Sequence, residues 1–219
     1  MSATKAFLSR LRGKSLGDLL RLAPQFASEL LRFRAIGAFY WGRLHATPTA
    51  RRRRRRAALD RLSEAESVLF LCHGNVCRSP FAERLLRHRL VDRGLAPLEV
   101  ASAGSVELDD PRSPSNARAV AAEFGVGLSS HRAMKSTDEA IETADLLFVM
   151  DYRNYHTYAT RYPEAVDRLF LLRIVEPGHE MQIIDPHGSD ESTFERVYAA
   201  IDDCVTTMLD EYEARRGGD

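Results

Sequence analysis

A chain of 219 residues with 44% hydrophobic content can build one sizeable core and still carry an extension. Three cysteines exclude a disulfide-framed scaffold. The zero formal net charge conceals a split: residues 1–63 hold 15 Lys and Arg against 3 Asp and Glu, a net +12, whereas residues 64–219 hold 16 against 28, a net −12. This predicts a basic, helical or linker extension over 1–63 joined to an acidic domain over 64–219.

Residues 1–23 carry Phe7, Leu8, Leu11, Leu16, Leu19, Leu20 and Leu22 among basic residues, with Ser15 and Asp18 as helix starts and Pro24 as a break. From Pro24 to Leu44, apolar residues including Phe26, Leu30, Leu31, Phe39, Tyr40 and Trp41 return at helical spacing, with Arg32, Arg34 and Arg43 between them. Two readings fit: a helix packed on a neighbour, or a segment lying on an anionic membrane surface. The longest uncharged run there, Ala35 to Gly42, is too short to span a bilayer. No apolar run followed by a small-residue cleavage site marks a secretory signal, so the cytoplasm, with peripheral membrane attachment through the extension, is the expected location.

Thr47-Pro48-Thr49 reads as a break, and Arg51 to Arg56 as a solvated linker or helix end. Such a run binds polyanions weakly. No nucleic-acid motif accompanies it, so no specific nucleic-acid role is expected. An anionic membrane surface, a partner protein and docking onto the acidic domain remain as its partners. Ala57 to Glu66 continues as a short helix.

Ser67 to Leu71 is an apolar, β-rich run that predicts a buried strand. Ser79 as N-cap and Pro80 at the first helical position predict a helix, with Phe81, Leu85, Leu86, Leu90 and Val91 as its stripe and Gly94 at its end. Leu98 to Ala101 predicts a second strand, followed by Ser102-Ala103-Gly104. Ser113 to Phe124 predicts a helix, and Ser129 to Ala133 a polar turn. Leu146 to Met150 is a third strand ending at Asp151, and Arg168 to Leu172 a fourth. Ile184-Asp185-Pro186-His187-Gly188 is a loop, and Glu191 to Arg215 a final amphipathic helix in which Cys204 is a core thiol. Strands alternating with helices predict an α/β fold with a parallel sheet, whose ligands bind at the carboxyl ends of the strands.

Cys72 stands at such an end. A tight loop from Cys72 to Arg78, between strand and helix start, turns several amides toward one point and makes a seat for an oxyanion. The partial positive charge of the following helix favours a thiolate at Cys72, which can attack an electrophile held in that seat. Arg78 offers a planar fork for two phosphate oxygens, and Gly74 allows close backbone approach. Together they suit phosphoryl transfer. The plainer readings are a strand–turn–helix junction with core cysteines, or a metal site of Cys72, His73 and Cys77. The latter needs further ligands at usable spacing, and none follow nearby, so no metal and no cofactor are expected.

The run Cys72-His73-Gly74-Asn75-Val76-Cys77-Arg78-Ser79-Pro80 resembles the active-site loop of the low-molecular-weight protein tyrosine phosphatases, and the resemblance covers about Glu66 to Glu213. It implies a four-stranded parallel sheet in the order 2-1-3-4 with helices on both faces. It implies Cys72 as nucleophile, Arg78 as phosphate clamp and Asp185, in Asp185-Pro186, as general acid. His73, Gly74, Asn75, Val76, Cys77 and Ser79 would form the phosphate loop, with Ser79 stabilising the thiolate and Ser102 and His131 bonding Asn75. Asp151 and Asn154 match a structural polar pair, and Cys77 could close a protective disulfide with Cys72 on oxidation.

Two departures bear on the substrate. His187 and Gly188 stand where relatives often carry aromatics, and Leu108 is nearest to where a tryptophan is common, so the walls around a phenyl ring are thinned. The implied activity is hydrolysis of phosphotyrosine in a phosphorylated protein. Phosphoarginine hydrolysis is an alternative, although Val76 stands where those members tend to have threonine. Arsenate reduction would need two more shuttling cysteines, and a non-catalytic anchoring module would not need Cys72, Arg78 and Asp185 together.

Overall fold

The computed structural model describes residues 31–32, 34–42, 47–95, 97–178 and 180–216. The expectations for residues 1–30, and for Arg43 and Leu44, fall outside them.

Four short runs of branched and aromatic residues make one parallel sheet: β1 (Ser67–Cys72), β2 (Glu99–Gly104), β3 (Leu146–Val149) and β4 (Leu169–Leu171). The order is β2-β1-β3-β4. β1 lies centrally and is buried along nearly its whole length, which is why it reads as an unbroken apolar run. The register sets Cys72 opposite Gly104 at the carboxyl end. β2 is longer than the sequence predicts and takes in Ser102, Ala103 and Gly104. β4 is shorter, because Pro163–Arg168 before it and Leu172–Val175 after it are 3₁₀ turns.

The helices α1 (Pro48–Glu64), α2 (Arg78–Asp92), α3 (Ser115–Glu123), α4 (Asp138–Thr143), α5 (Tyr152–Arg161) and α6 (Glu191–Arg216) surround the sheet. α2 and α6 pack on each other, and α1 and α3 pack against α6. The tightest ring contact is made here, with Phe81 of α2 stacked on Tyr198 of α6 at 3.8 Å. Cys204 is buried on α6, as its place beside the apolar stripe predicts. α4 and α5 were not legible as helices. Each starts at a side-chain cap: Thr137 accepts from the Ala140 amide at 3.1 Å, and Asp151 from the Asn154 amide at 2.7 Å.

The arginine run is not a linker. Thr47 caps α1 through the Ala50 amide at 3.1 Å, and Pro48 occupies its first turn, so the expected break is a helix start. The run then winds at 3.6 residues per turn. Arg51, Arg54 and Arg55 face the domain, in line with buried Ala58, Leu59 and Leu62, while Arg52, Arg53 and Arg56 face solvent. The inward guanidinium groups donate to backbone carbonyls at the sheet edge. Arg51 reaches Pro177 O at 2.9 Å, Arg54 reaches Leu169 O at 2.5 Å and Arg55 reaches Val175 O at 2.7 Å. Arg54 also lies 4.3 Å over the Phe170 ring, and Arg55 pairs with Glu211 at 3.1 Å. An edge strand exposes carbonyls that recruit other chains, and here Arg54 occupies that of Leu169, while Arg51 and Arg55 bond the turn that follows β4.

Residue 63 lies inside α1, whose buried side chains join the same core as the strands. Ahead of it, residues 34–40 are helical, and Tyr40 packs on α5 through the Tyr155 ring at 5.0 Å and His156 Nδ1 at 3.3 Å.

Leu59→Ala should cost about 2–5 kcal/mol as a core truncation, and Arg54→Ala about 1–3 kcal/mol for the carbonyl it strands. In urea unfolding both should move the main transition. An earlier, separate transition in either variant would place α1 outside the cooperative unit.

Candidate active site

The turn from β1 into α2 begins with a residue in an unusual conformation. Asn75 has φ 51°, in the left-handed region that asparagine tolerates better than most residues. Five hydrogen bonds hold it there. Its amide donates to Cys72 Sγ at 3.2 Å, and its Nδ2 to Ser79 Oγ at 2.9 Å and Ser102 Oγ at 2.8 Å. Its Oδ1 accepts from the Met134 amide at 3.0 Å, and its carbonyl from His131 Nε2 at 2.7 Å. The carbonyl acceptor fixes the tautomer: Nε2 carries the proton. Burial moves the His131 pKa below the ordinary histidine value, outweighing the upward pull of that hydrogen bond.

Ser79 is not the N-cap. α2 begins two residues earlier than expected, with Cys77 in the cap position and no side-chain cap. The Ser79 hydroxyl turns instead into the loop and donates to Cys72 Sγ at 3.1 Å. Two donors thus converge on one buried sulfur, a setting that suits an anionic acceptor. Cys77 sits beneath the loop, where burial pushes its thiol up, and its carbonyl accepts from the Tyr198 hydroxyl at 3.1 Å.

Gly104 is a site residue that the sequence reading missed. A Cβ there would stand 3.0 Å from Asn75 N, Gly74 C and His73 O. The strand end must be bare for the loop to cross it, and only a glycine after Ser102-Ala103 hinted at this. Over the other side of the loop, Leu108 Cδ1 lies 2.7 Å from where a Cβ on Gly74 would be. Val76 is buried, and His73 is half-buried with Nδ1 3.4 Å from Ser105 Oγ. Burial, then the nearby Arg153, lower the His73 pKa.

Arg78 is 1% exposed and held by three groups. Nη1 donates to Asp151 Oδ2 at 2.7 Å and to Ile183 O at 3.0 Å, and Nη2 pairs with Asp185 Oδ2 at 3.0 Å. Burial opposes its charge, but the two carboxylates outweigh that, and its pKa is raised. Nε is buried and has no partner among the described residues. Asp151, read from sequence as purely structural, thus does two jobs: one oxygen caps α5 and the other holds the guanidinium. Asn154 shares only the first.

Asp185 arrives on a separate loop. The Ile183 amide bonds Met150 O at 2.7 Å, which lays this loop beside the end of β3, and Asn116 Nδ2 ties its far end through Ser189 O at 3.0 Å. Enclosure pushes the Asp185 carboxyl up, but Arg78 and the His187 amide pull it below the usual carboxylate value. His187 and Gly188 are exposed beyond it. Cys72, Arg78, Asp185, Ser79, Ser102 and His131 are therefore brought together. Cys72, His73 and Cys77 do not form a metal cluster: among the described residues no group of three His, Cys, Asp or Glu could hold an ion.

A sulfur at a strand end, an amide and a hydroxyl donating to it, and a buried guanidinium with an aspartate across from it make an arrangement that could seat a tetrahedral oxyanion. The family description "low molecular weight phosphotyrosine protein phosphatase" matches residues 67–216, and the chain belongs to this family. It is 32% identical over 136 residues to the probable low molecular weight protein-tyrosine-phosphatase EpsP of Ralstonia nicotianae, covering 62% of this chain and 88% of that protein. It is 32% identical over 143 residues to the protein-arginine-phosphatase of Geobacillus stearothermophilus, covering 65% of this chain and 90% of that one. The crystal structure of the tyrosine phosphatase Wzb from Escherichia coli K30 in complex with sulphate aligns with a TM-score of 0.58 at 32% identity, over 65% of this chain and 94% of that chain.

Gly104→Ala should displace the loop by a few tenths of an ångström or more and lower kcat for p-nitrophenyl phosphate on the order of 10²-fold, with little change in melting temperature; wild-type turnover would refute the clearance argument. His131 gives a pH signature. Its folded pKa is lowered, so the unfolded chain takes up the proton first, and stability falls as pH drops below about 6.5. In His131→Gln that part of the slope should vanish in urea titrations at pH 7 and 5, and an unchanged slope would contradict a neutral His131.

Proposed function

We propose that this protein hydrolyses phosphotyrosine in phosphorylated proteins through a phosphocysteine intermediate. The observation that carries the reading is the pairing of Cys72 Sγ, held by the Asn75 amide and the Ser79 hydroxyl, with a buried Arg78 Nε that has no partner among the described residues. An unsatisfied buried guanidinium donor is costly unless an anion meets it.

The steps follow from the positions. A bound phosphoryl group takes hydrogen bonds from the amides of the Cys72–Arg78 loop other than Asn75, whose amide already meets Cys72 Sγ, and from the Arg78 guanidinium. Cys72 Sγ attacks phosphorus, the P–O bond to the leaving group breaks, and Asp185 gives that oxygen its proton. Water then attacks phosphorus, Asp185 takes a proton from it, the S–P bond breaks and inorganic phosphate leaves. In the resting protein Arg78 holds Asp185 below the usual carboxylate value, which opposes its role as an acid. A bound phosphate dianion competes for the same guanidinium and adds negative charge beside the carboxyl. Both effects favour the protonated acid that the first step needs.

Cys72→Ser should abolish turnover of p-nitrophenyl phosphate. Asp185→Asn should lower kcat about 10²–10⁴-fold, and more for phenyl phosphate than for p-nitrophenyl phosphate, because the poorer leaving group depends more on the proton. Full activity in Cys72→Ser would exclude the mechanism.

Phosphoarginine is a second reading. Leu108 packed on Gly74, and the open His187-Gly188 turn, offer little aromatic wall for a phenyl ring. Matched phosphotyrosine and phosphoarginine peptides, compared by kcat/KM, separate the two.

For the extension we propose peripheral attachment to an anionic membrane surface from a cytoplasmic, reducing compartment that keeps Cys72 a free thiol. Leu31, Phe39 and Trp41 are exposed by 67%, 59% and 49%, beside exposed Arg32 and Arg34. Among the described residues no helix is long and apolar enough to cross a membrane. Phe39→Glu with Trp41→Glu should reduce sedimentation with phosphatidylserine vesicles without changing kcat; unchanged sedimentation would remove the proposal.

A further inference from the structure

Among the described residues, two arginines have a buried Nε without a hydrogen-bond partner: Arg78 and Arg84. The first faces the phosphate seat. The second lies six residues further along α2, about 9 Å of helix rise away. Arg84 lines a cleft of about 280 Å³ with Arg87, His88, Gly125, Val126 and Gly127.

The charges in this cleft are unequal. Arg87 is matched by Glu83 Oε1 at 2.8 Å and also donates to Val100 O. His88 Nε2 lies 3.4 Å from Asp92 Oδ2, and both side chains are about half exposed. Arg84 Nε is buried with no hydrogen-bond partner among the described residues. Arg84 is half-buried and its Nε fully so, so part of its hydration is gone, and no ion pair with a described carboxylate replaces it. The opposite wall is glycine backbone. Gly125, at φ 74°, passes close under His88, where a Cβ would stand 3.3 Å from Nε2, and a Cβ on Gly127 would meet nothing within 4 Å. The cleft is therefore open, basic and floored by main chain.

It is also wired to the catalytic loop. Arg87 holds Glu83 Oε1, Glu83 Oε2 accepts from Ser102 Oγ at 2.5 Å, and Ser102 accepts from Asn75 Nδ2 at 2.8 Å. On the other side, the Arg84 charge acts on His131, which holds the Asn75 carbonyl. An anion in the cleft would draw on Arg84 and Arg87 together and so reach the residue that sets the loop's shape from two directions.

We propose that this cleft is a second anion site, taking inorganic phosphate or the phosphoryl group of a small metabolite, and that its occupancy alters turnover at Cys72. The two guanidinium groups suit a small phosphoryl anion. Binding at the cleft stands on its own residues, whereas the effect on turnover rests on the phosphatase reading.

The test separates the two sites. In the full chain, with Cys72 alkylated by iodoacetate to fill the catalytic seat, titration with inorganic phosphate should give saturable NMR shifts at the Gly125, Val126 and Gly127 amides and at Arg84 Nε–H. Arg84→Gln should weaken this at least about tenfold, the scale of one charge-assisted hydrogen bond. Gly127→Asp, whose Cβ meets nothing within 4 Å and which brings an acid to the cleft wall, should abolish it. Shifts that are absent, or that persist unchanged in both variants, would overturn the site. In unmodified protein hydrolysing p-nitrophenyl phosphate, added phosphate should change kcat as well as KM, and only KM in Arg84→Gln. A purely competitive effect in the parent would overturn the coupling, and an inactive parent that still shows the cleft shifts would refute the phosphatase reading alone.

Discussion

One residue held in a left-handed conformation determines the rest of the site. Asn75 turns the chain so that its own amide faces Cys72, and each of its remaining polar atoms is tied to a different part of the fold. Ser102 comes from β2, Ser79 from α2, and Met134 and His131 from the segment after α3. The loop is thus rigid before any ligand arrives, which is what oxyanion stabilisation requires. Gly104 completes the constraint by leaving room for the chain to cross the strand end.

Charge is arranged with similar economy. Arg78 is buried between Asp151 and Asp185 and pairs with one oxygen of each. The domain's acidity also accommodates α1. Half of its arginine run is consumed by backbone carbonyls of the β4 edge and its flanking turn and by Glu211, leaving Arg52, Arg53 and Arg56 outward. Segregating charge along the chain brings a basic helix onto an acidic body.

The strand β1, the loop after it and the order of the sheet were legible, because a buried parallel strand must read as an apolar run and because Cys72 to Pro80 is an unusually specific string. The start of α2 was misplaced by the reverse effect: a serine just before a proline resembles a cap, yet the loop's need for a hydroxyl at Cys72 overrides the local preference. The arginine run misled because charge counts carry no direction, whereas the 3.6-residue period sends Arg51, Arg54 and Arg55 inward. Asp151 and Gly104 were hidden for a related reason. Their roles depend on neighbours distant in sequence, Arg78 in one case and the Gly74–Asn75 backbone in the other.

The most direct test is covalent. Asp185→Asn protein, mixed with p-nitrophenyl phosphate and quenched in acid within its first turnovers, should yield a peptide spanning Ser67 to Arg78 with a phosphoryl group on Cys72 by mass spectrometry. An unmodified Cys72 peptide from protein that is visibly turning over substrate would contradict a sulfur nucleophile.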